Sequence, residues 1–183
     1  MSVLFSLMIS YGIGMIPLSQ FILGMGYHRR MGRYPGVAGR RVLEAVIDIL
    51  KGMLATYIGL HLGGWIGASL SALGVVLGHT YPLIMLKGVN RGSSAVAAGA
   101  LFVLSPLVIT IGLIVFLVSL LLTRYVTFST LLTIPVVVLV TLFLSAKFLV
   151  VTITFCLAGV ILFRERNSVK RWRRGAELPF RFK

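Results

Sequence analysis

Residues Ser93 to Thr123 read SSAVAAGALFVLSPLVITIGLIVFLVSLLLT, and how this stretch divides decides the architecture. It carries no charged side chain over about 31 residues, long for one membrane-spanning helix of ~20 residues and short for two. Ser105-Pro106 interrupts it, because proline lacks a helix donor and its ring clashes with the preceding turn. Working outward, three apolar segments precede it: Val3 to Met25, Val42 to Leu62 and Trp65 to Met85. Two follow it, Val126 to Ala146 and Phe148 to Phe163. Lys and Arg collect on cytoplasmic loops next to span ends. Arg29, Arg30, Arg33, Arg40 and Arg41 follow the first segment, and Lys87 and Arg91 follow the third. The tail from Arg164 carries eight Lys and Arg against Glu165 and Glu177, while the turn from His61 to Trp65 carries none. One span at Ser93–Thr123 would put the basic tail opposite the other basic loops. Two segments joined at Ser105-Pro106 put Arg124 and the tail on the same side as those loops and leave only Lys147 across the membrane. The expected fold is therefore all-α and integral to the membrane. It has about seven transmembrane segments, the fourth short and buried by neighbours, with the N-terminus outside and the C-terminus cytoplasmic. Residues 1–166 form one membrane domain and 167–183 a basic cytoplasmic tail.

Composition agrees with this reading. Of 183 residues, 58% are hydrophobic and only 12% charged, against roughly 25% charged in ordinary soluble domains. Mean hydropathy is +1.01. The first segment has neither the basic start nor the small-residue exit of a cleaved signal, so it reads as a retained helix. With 18 Lys+Arg and 4 Asp+Glu the net charge is +14; in the tail this charge suits anionic lipid headgroups rather than nucleic acid. The single cysteine, Cys156, excludes an internal disulfide, and its apolar neighbours suggest a buried, inert thiol.

Few residues are candidates for chemistry. Asp48 and Lys51 share a face of the second segment, and ionised groups within a membrane helix usually face an interior or a cavity. They read either as a mutually neutralising pair or as the wall of a cationic site. His79 sits in Gly78-His79-Thr80-Tyr81-Pro82 at the inner end of the third segment. His28 and His61 lie on other segments, so no metal site is expected. Lys87-Gly88-Val89-Asn90-Arg91-Gly92-Ser93-Ser94 combines cations, glycines that permit close backbone approach, and hydroxyls at a helix start, where unpaired N–H groups favour phosphate. It reads as an anion-binding loop or as an ordinary basic turn. No Walker pattern, Ser/His/Asp set or cofactor motif is present, and charge confined to one span argues against a transporter.

These stretches, in this order, resemble the bacterial acyl-phosphate:glycerol-3-phosphate acyltransferases, the PlsY family. Tyr11-Gly12-Ile13-Gly14-Met15-Ile16-Pro17 is similar to the family's Gly-Ser-Ile-Pro stretch, Asp48-Ile49-Leu50-Lys51-Gly52 to its Asp-x-x-Lys-Gly, and Gly78 to Pro82 to its Gly-His-x-Tyr-Pro. Ser105-Pro106 and Arg124-Tyr125-Val126-Thr127 fall where the family has Ser-Pro and Arg-Tyr-Val-Ser. The resemblance implies seven segments in a bacterial inner membrane, a cytoplasmic-face active site, and acyl transfer from acyl phosphate to glycerol 3-phosphate in phospholipid synthesis. It assigns His79 and Arg91 as catalytic, and Arg40, Arg41, Lys51, Lys87, Gly92 and Ser93 as phosphate ligands. Neither a metal nor a cofactor is implied; the partners are membrane lipids and the two substrates.

The chain departs from the family at three places. The family's first-loop Gly-Ser-Gly-Asn-x-Gly-x-Thr-Asn reads Gly32-Arg33-Tyr34-Pro35-Gly36-Val37-Ala38-Gly39 here. Gly-Gly-Lys-Gly becomes Val89-Asn90-Arg91-Gly92, and Arg-His-Arg-Glu-Asn becomes Arg164-Glu165-Arg166-Asn167-Ser168. Arg and Lys are not equivalent at a tight anion site. The second expectation is accordingly a non-catalytic homologue that binds lipid or serves as an assembly subunit among other membrane proteins.

Overall fold

The structure is a computed structural model that describes residues 2–19, 21, 37–82, 93–144 and 147–173. All regular structure among them is helical: α1 (Ser2–Met15), α2 (Val37–Thr80), α3 (Ser94–Leu104), α4 (Pro106–Thr123), α5 (Val126–Leu144) and α6 (Phe148–Arg173). Among the described residues, four segments are long and apolar enough to cross a membrane: Val42–Thr80, Pro106–Thr123, Val126–Leu144 and Phe148–Arg166. Helices α1 and α3 are shorter.

The expected break at Ser105-Pro106 is present. Ser105 leaves the helical region at φ −155°, ψ 84°, and Pro106 begins α4. Proline is well placed there, because the first residue of a helix has no acceptor for its N–H. The uncharged turn after the second segment is a kink inside α2. Gly64 takes φ 59°, ψ −149°, a backbone region that side-chain-bearing residues scarcely enter. The kink divides α2 into two limbs, 37–62 and 65–80.

Several boundaries differ from expectation. Helix α1 stops at Met15, because the residue before Pro17 is pushed out of helical geometry; the chain is helical again at Leu18, Ser19 and Phe21, and the expected end at Met25 lies outside the described residues. The third segment stops at Thr80 for the same reason at Pro82. At the other end, α6 continues past Phe163 to Arg173, so the start of the basic tail is helical.

Small and hydroxylated residues let the backbones approach closely, as membrane helices require when no water drives them together. Helix α1 lies along the second limb of α2: Val3 is beside Gly63, Ser71 Oγ donates to Ser6 O at 3.2 Å, and Tyr11 OH donates to Tyr81 O at 2.8 Å. Helix α3 crosses the first limb where Gly52 meets Val96 and Gly99 meets Ile49. Helices α4 and α5 form an antiparallel pair closed at Arg124, which takes a left-handed φ of 60° and donates its N–H to Leu120 O at 2.8 Å.

Between α5 and α6, the Lys147 ammonium lies 3.2 Å from the centroid of Trp65. Lys147, Trp65, Gly63 and Val3 therefore share one end of the bundle, and α6 runs from it toward the other. The outer surface is apolar, with Leu122, Phe143 and Phe148 each 80–85% exposed. Cys156 is on this exposed face and not buried as expected, since it sits about 100° around α6 from the inward-facing Leu157.

Candidate functional site at the end of α1

Three motifs distant in sequence meet where α1 ends. A helix terminus leaves its last carbonyls without partners. Here the Lys51 ammonium donates to Gly14 O and Ile16 O, both at 2.6 Å. A cation at a helix C-terminus also opposes the negative end of the dipole. Lys51 is only 3% exposed, so these charge-assisted bonds offset the cost of desolvating it. On the other side of Gly14, a side chain would run into the backbone of Val75, Gly78 and His79. Glycine at position 14 thus lets α1 nestle between the Lys51 and His79 segments. His79 is buried, and its Nε2 lies 3.8 Å from Asp48 Oδ2. Asp48, Lys51 and His79 form one cluster around the α1 terminus.

Ser93 precedes α3 and is fully buried. Its carbonyl accepts from Ala97 N at 3.1 Å, but its hydroxyl has no hydrogen-bond partner among the described residues and does not cap the helix. An unpartnered buried hydroxyl beside the open N–H groups of a helix start is suited to an anion's oxygen.

Lys87, Arg91 and Gly92 lie outside the described residues, as does most of the altered first loop. Arg40 and Arg41 are on the first turns of α2, and their side chains also lie outside the description. Among the described residues, no three His, Cys, Asp or Glu come together.

Sequence reading placed Lys51 and His79 at the inner ends of their segments. It did not foresee that Lys51 reaches the α1 carbonyls or that Asp48 reaches His79. The available signal was Pro17, which ends a helix and thereby creates carbonyls that need a donor.

Next to this cluster, Ala45 and Ile49 open onto a cleft of about 300 Å³ walled by α2, α3, α4, α5 and α6. Threonines 130, 133 and 154 line it, yet each hydroxyl donates to a carbonyl one turn back on its own helix. The walls are consequently apolar. A polar cluster adjoining an apolar cleft suits an amphiphile with a charged head and a hydrocarbon tail.

Comparison with known proteins follows the same line. The family model described as glycerol-3-phosphate acyltransferase matches residues 4–175. A glycerol-3-phosphate acyltransferase of Carboxydothermus hydrogenoformans is 33% identical over 82% of this chain and 74% of its own. Glycerol-3-phosphate acyltransferase 3 of Bacillus anthracis is 32% identical over 89% of this chain and 87% of its own. The fold matches a crystal structure of PlsY, an integral membrane glycerol 3-phosphate acyltransferase, in its glycerol 3-phosphate form. The TM-score is 0.82 and the identity 26%, over 99% of this chain and 96% of that one. The lysophosphatidic acid form of PlsY matches with the same TM-score at 25% identity, over 98% and 95% of the two chains.

Proposed function

This chain belongs to the glycerol-3-phosphate acyltransferase family, and from that premise we propose that it transfers an acyl group from acyl phosphate to glycerol 3-phosphate in a bacterial inner membrane. The 1-hydroxyl oxygen bonds to the acyl carbon, the bond from that carbon to the phosphate oxygen breaks, and the hydroxyl proton leaves with the phosphate or through a nearby base. The products are lysophosphatidate and inorganic phosphate. Such chemistry needs two anions held together and charge stabilised as it shifts onto the leaving phosphate.

The observation that carries this reading is the meeting of Gly14–Pro17, Asp48–Gly52 and Gly78–Pro82 around one helix end, next to an apolar cleft. Arg91, Lys87, Gly92, Ser93, Arg40 and Arg41 are assigned to the two phosphates. Two donors of Lys51 are engaged by carbonyls, so its role is to hold α1 in place beside the site. His79, with Asp48 next to it, positions the site or carries the proton. The assigned topology is seven segments with the N-terminus outside and the site and C-terminus cytoplasmic.

One observation favours the second reading, a lipid-binding or assembly homologue without turnover. Glu165, where the family has histidine, is only 9% exposed, and a buried carboxylate repels phosphate unless a cation intervenes. The replaced first loop points the same way, since unaimed positive charge holds ground and transition states alike. Turnover slower than that of family members with intact motifs is expected.

Purified protein given acyl phosphate and glycerol 3-phosphate should release lysophosphatidate. Arg91→Ala should lower kcat/KM by roughly a hundredfold or more. No product from the wild type, with lysophosphatidate still bound, would establish the second reading. Undiminished transfer by the combined Arg40→Ala, Arg41→Ala and Arg91→Ala variant would overturn the site assignment.

A further inference from the structure

The cleft beside Asp48 has a definite far end. Its lining on α5 runs from Val126 to Val138, a depth of about 18 Å at the helical rise per residue. The α4–α5 pair closes at Arg124, and α6 starts at Lys147 beside Trp65. Val126 and Ile161 therefore lie toward the Arg124 end, while Ile109, Val138 and Thr154 lie deep, toward Trp65. One turn further toward Trp65, Thr141 on α5 and Val150 on α6 do not line the cleft and are 1% and 3% exposed. The slot stops there. One flank is open, where Phe102 and Leu113 are 44% and 50% exposed.

We propose that this slot selects acyl-chain length, with Ile109, Val138 and Thr154 as the floor that sets the optimum. The proposal rests on the acyl-transfer reading for the identity of the ligand. A volume of about 300 Å³ over this depth has the cross-section of a single extended hydrocarbon chain. The chain arrives from surroundings as apolar as the slot, so burial alone does not favour one length over another. Fit does. A short chain leaves a void above the floor, and voids in a packed interior cost in proportion to their volume. A long chain meets the floor and must bend out through the flank between Phe102 and Leu113, losing contact with the walls. Each methylene of mismatch should change relative affinity roughly two- to fourfold.

Two substitutions move the optimum in opposite directions. Ala158 lines the slot at mid-depth on α6 and is only partly buried, so Ala158→Leu fills space without cutting into the core. Ile109→Ala lowers the floor. The test is the binding of lysophosphatidates of graded acyl length to purified wild type and both variants, alongside turnover of the matching acyl phosphates. A wild-type optimum that shortens in Ala158→Leu and lengthens in Ile109→Ala supports the slot. A flat wild-type profile, or one optimum shared by all three proteins, overturns it even if acyl transfer is brisk. Moving binding optima without turnover would support the slot and refute the acyl-transfer reading. Should Ile109→Ala fail to fold, Ala158→Leu decides alone, since it adds apolar volume and removes none.

Discussion

Lys51 illustrates how one side chain can carry a functional motif's signature while acting on the backbone. Its ammonium donates to Gly14 O and Ile16 O at the break before Pro17, where Ile16 O also accepts from Leu18 N at 2.9 Å. Lys51→Met keeps most of the apolar stem and removes the donor, stranding Gly14 O while Ile16 O keeps its bond from Leu18 N. The expected loss is about 1–3 kcal/mol for the stranded carbonyl where water cannot reach it, seen as a lower midpoint of thermal unfolding in detergent. An unchanged midpoint would mean that the capping bonds contribute nothing. Gly14 presses on the other side of the same junction, so Lys51→Met should also disturb His79 and lower any acyl transfer, with lipid binding in the distant part of the cleft preserved.

At the scale of the elements, glycine inside a regular helix is required where two helix backbones touch. A side chain at Gly99 would run into the Ile49 backbone, whereas at Gly159 on α6 nothing lies within 4 Å. Gly99→Val should therefore separate α3 from α2 and lower stability sharply, because neither backbone can yield far. Gly159→Ala should be neutral or stabilise by roughly 0.5–1 kcal/mol, since glycine is costly in an open helical position. Comparing the two melting temperatures tests the packing directly. Equal tolerance at both positions would be incompatible with the close α2–α3 crossing. This crossing also supports the short α3, whose 11 residues cannot span a bilayer upright and depend on neighbours for burial.

For the whole molecule, sidedness follows from which charged groups share an end. Lys147 and Trp65 are together at one end, and α6 carries the chain from there to Arg173. A membrane-impermeant thiol reagent applied to intact cells should label a cysteine introduced at Lys147 and spare one introduced at Lys183. Cys156 must first be changed to serine, which its exposed position makes tolerable. Labelling of position 183 from outside would invert the assigned topology.

Much of the architecture was legible in the sequence because its determinants are local. A charge-free run of given length, a proline that removes a donor, and glycines that alone accept certain backbone angles act through neighbouring residues. The break at Ser105-Pro106 and the turn at Gly63-Gly64 followed from these rules, as did the membrane setting. Apolar length alone carries the first segment to Met25, but proline acts on the backbone whatever the hydropathy and interrupts the helix at Ile16-Pro17. Cys156 was misplaced because an apolar neighbourhood in sequence does not say which side of a helix faces lipid. The site was legible only as separate motifs. That Asp48 approaches His79, that Lys51 serves α1, and that the cleft ends at Ile109, Val138 and Thr154 depend on how helices distant in sequence cross. Those crossings arise from small-residue contacts between segments, and no single segment encodes them.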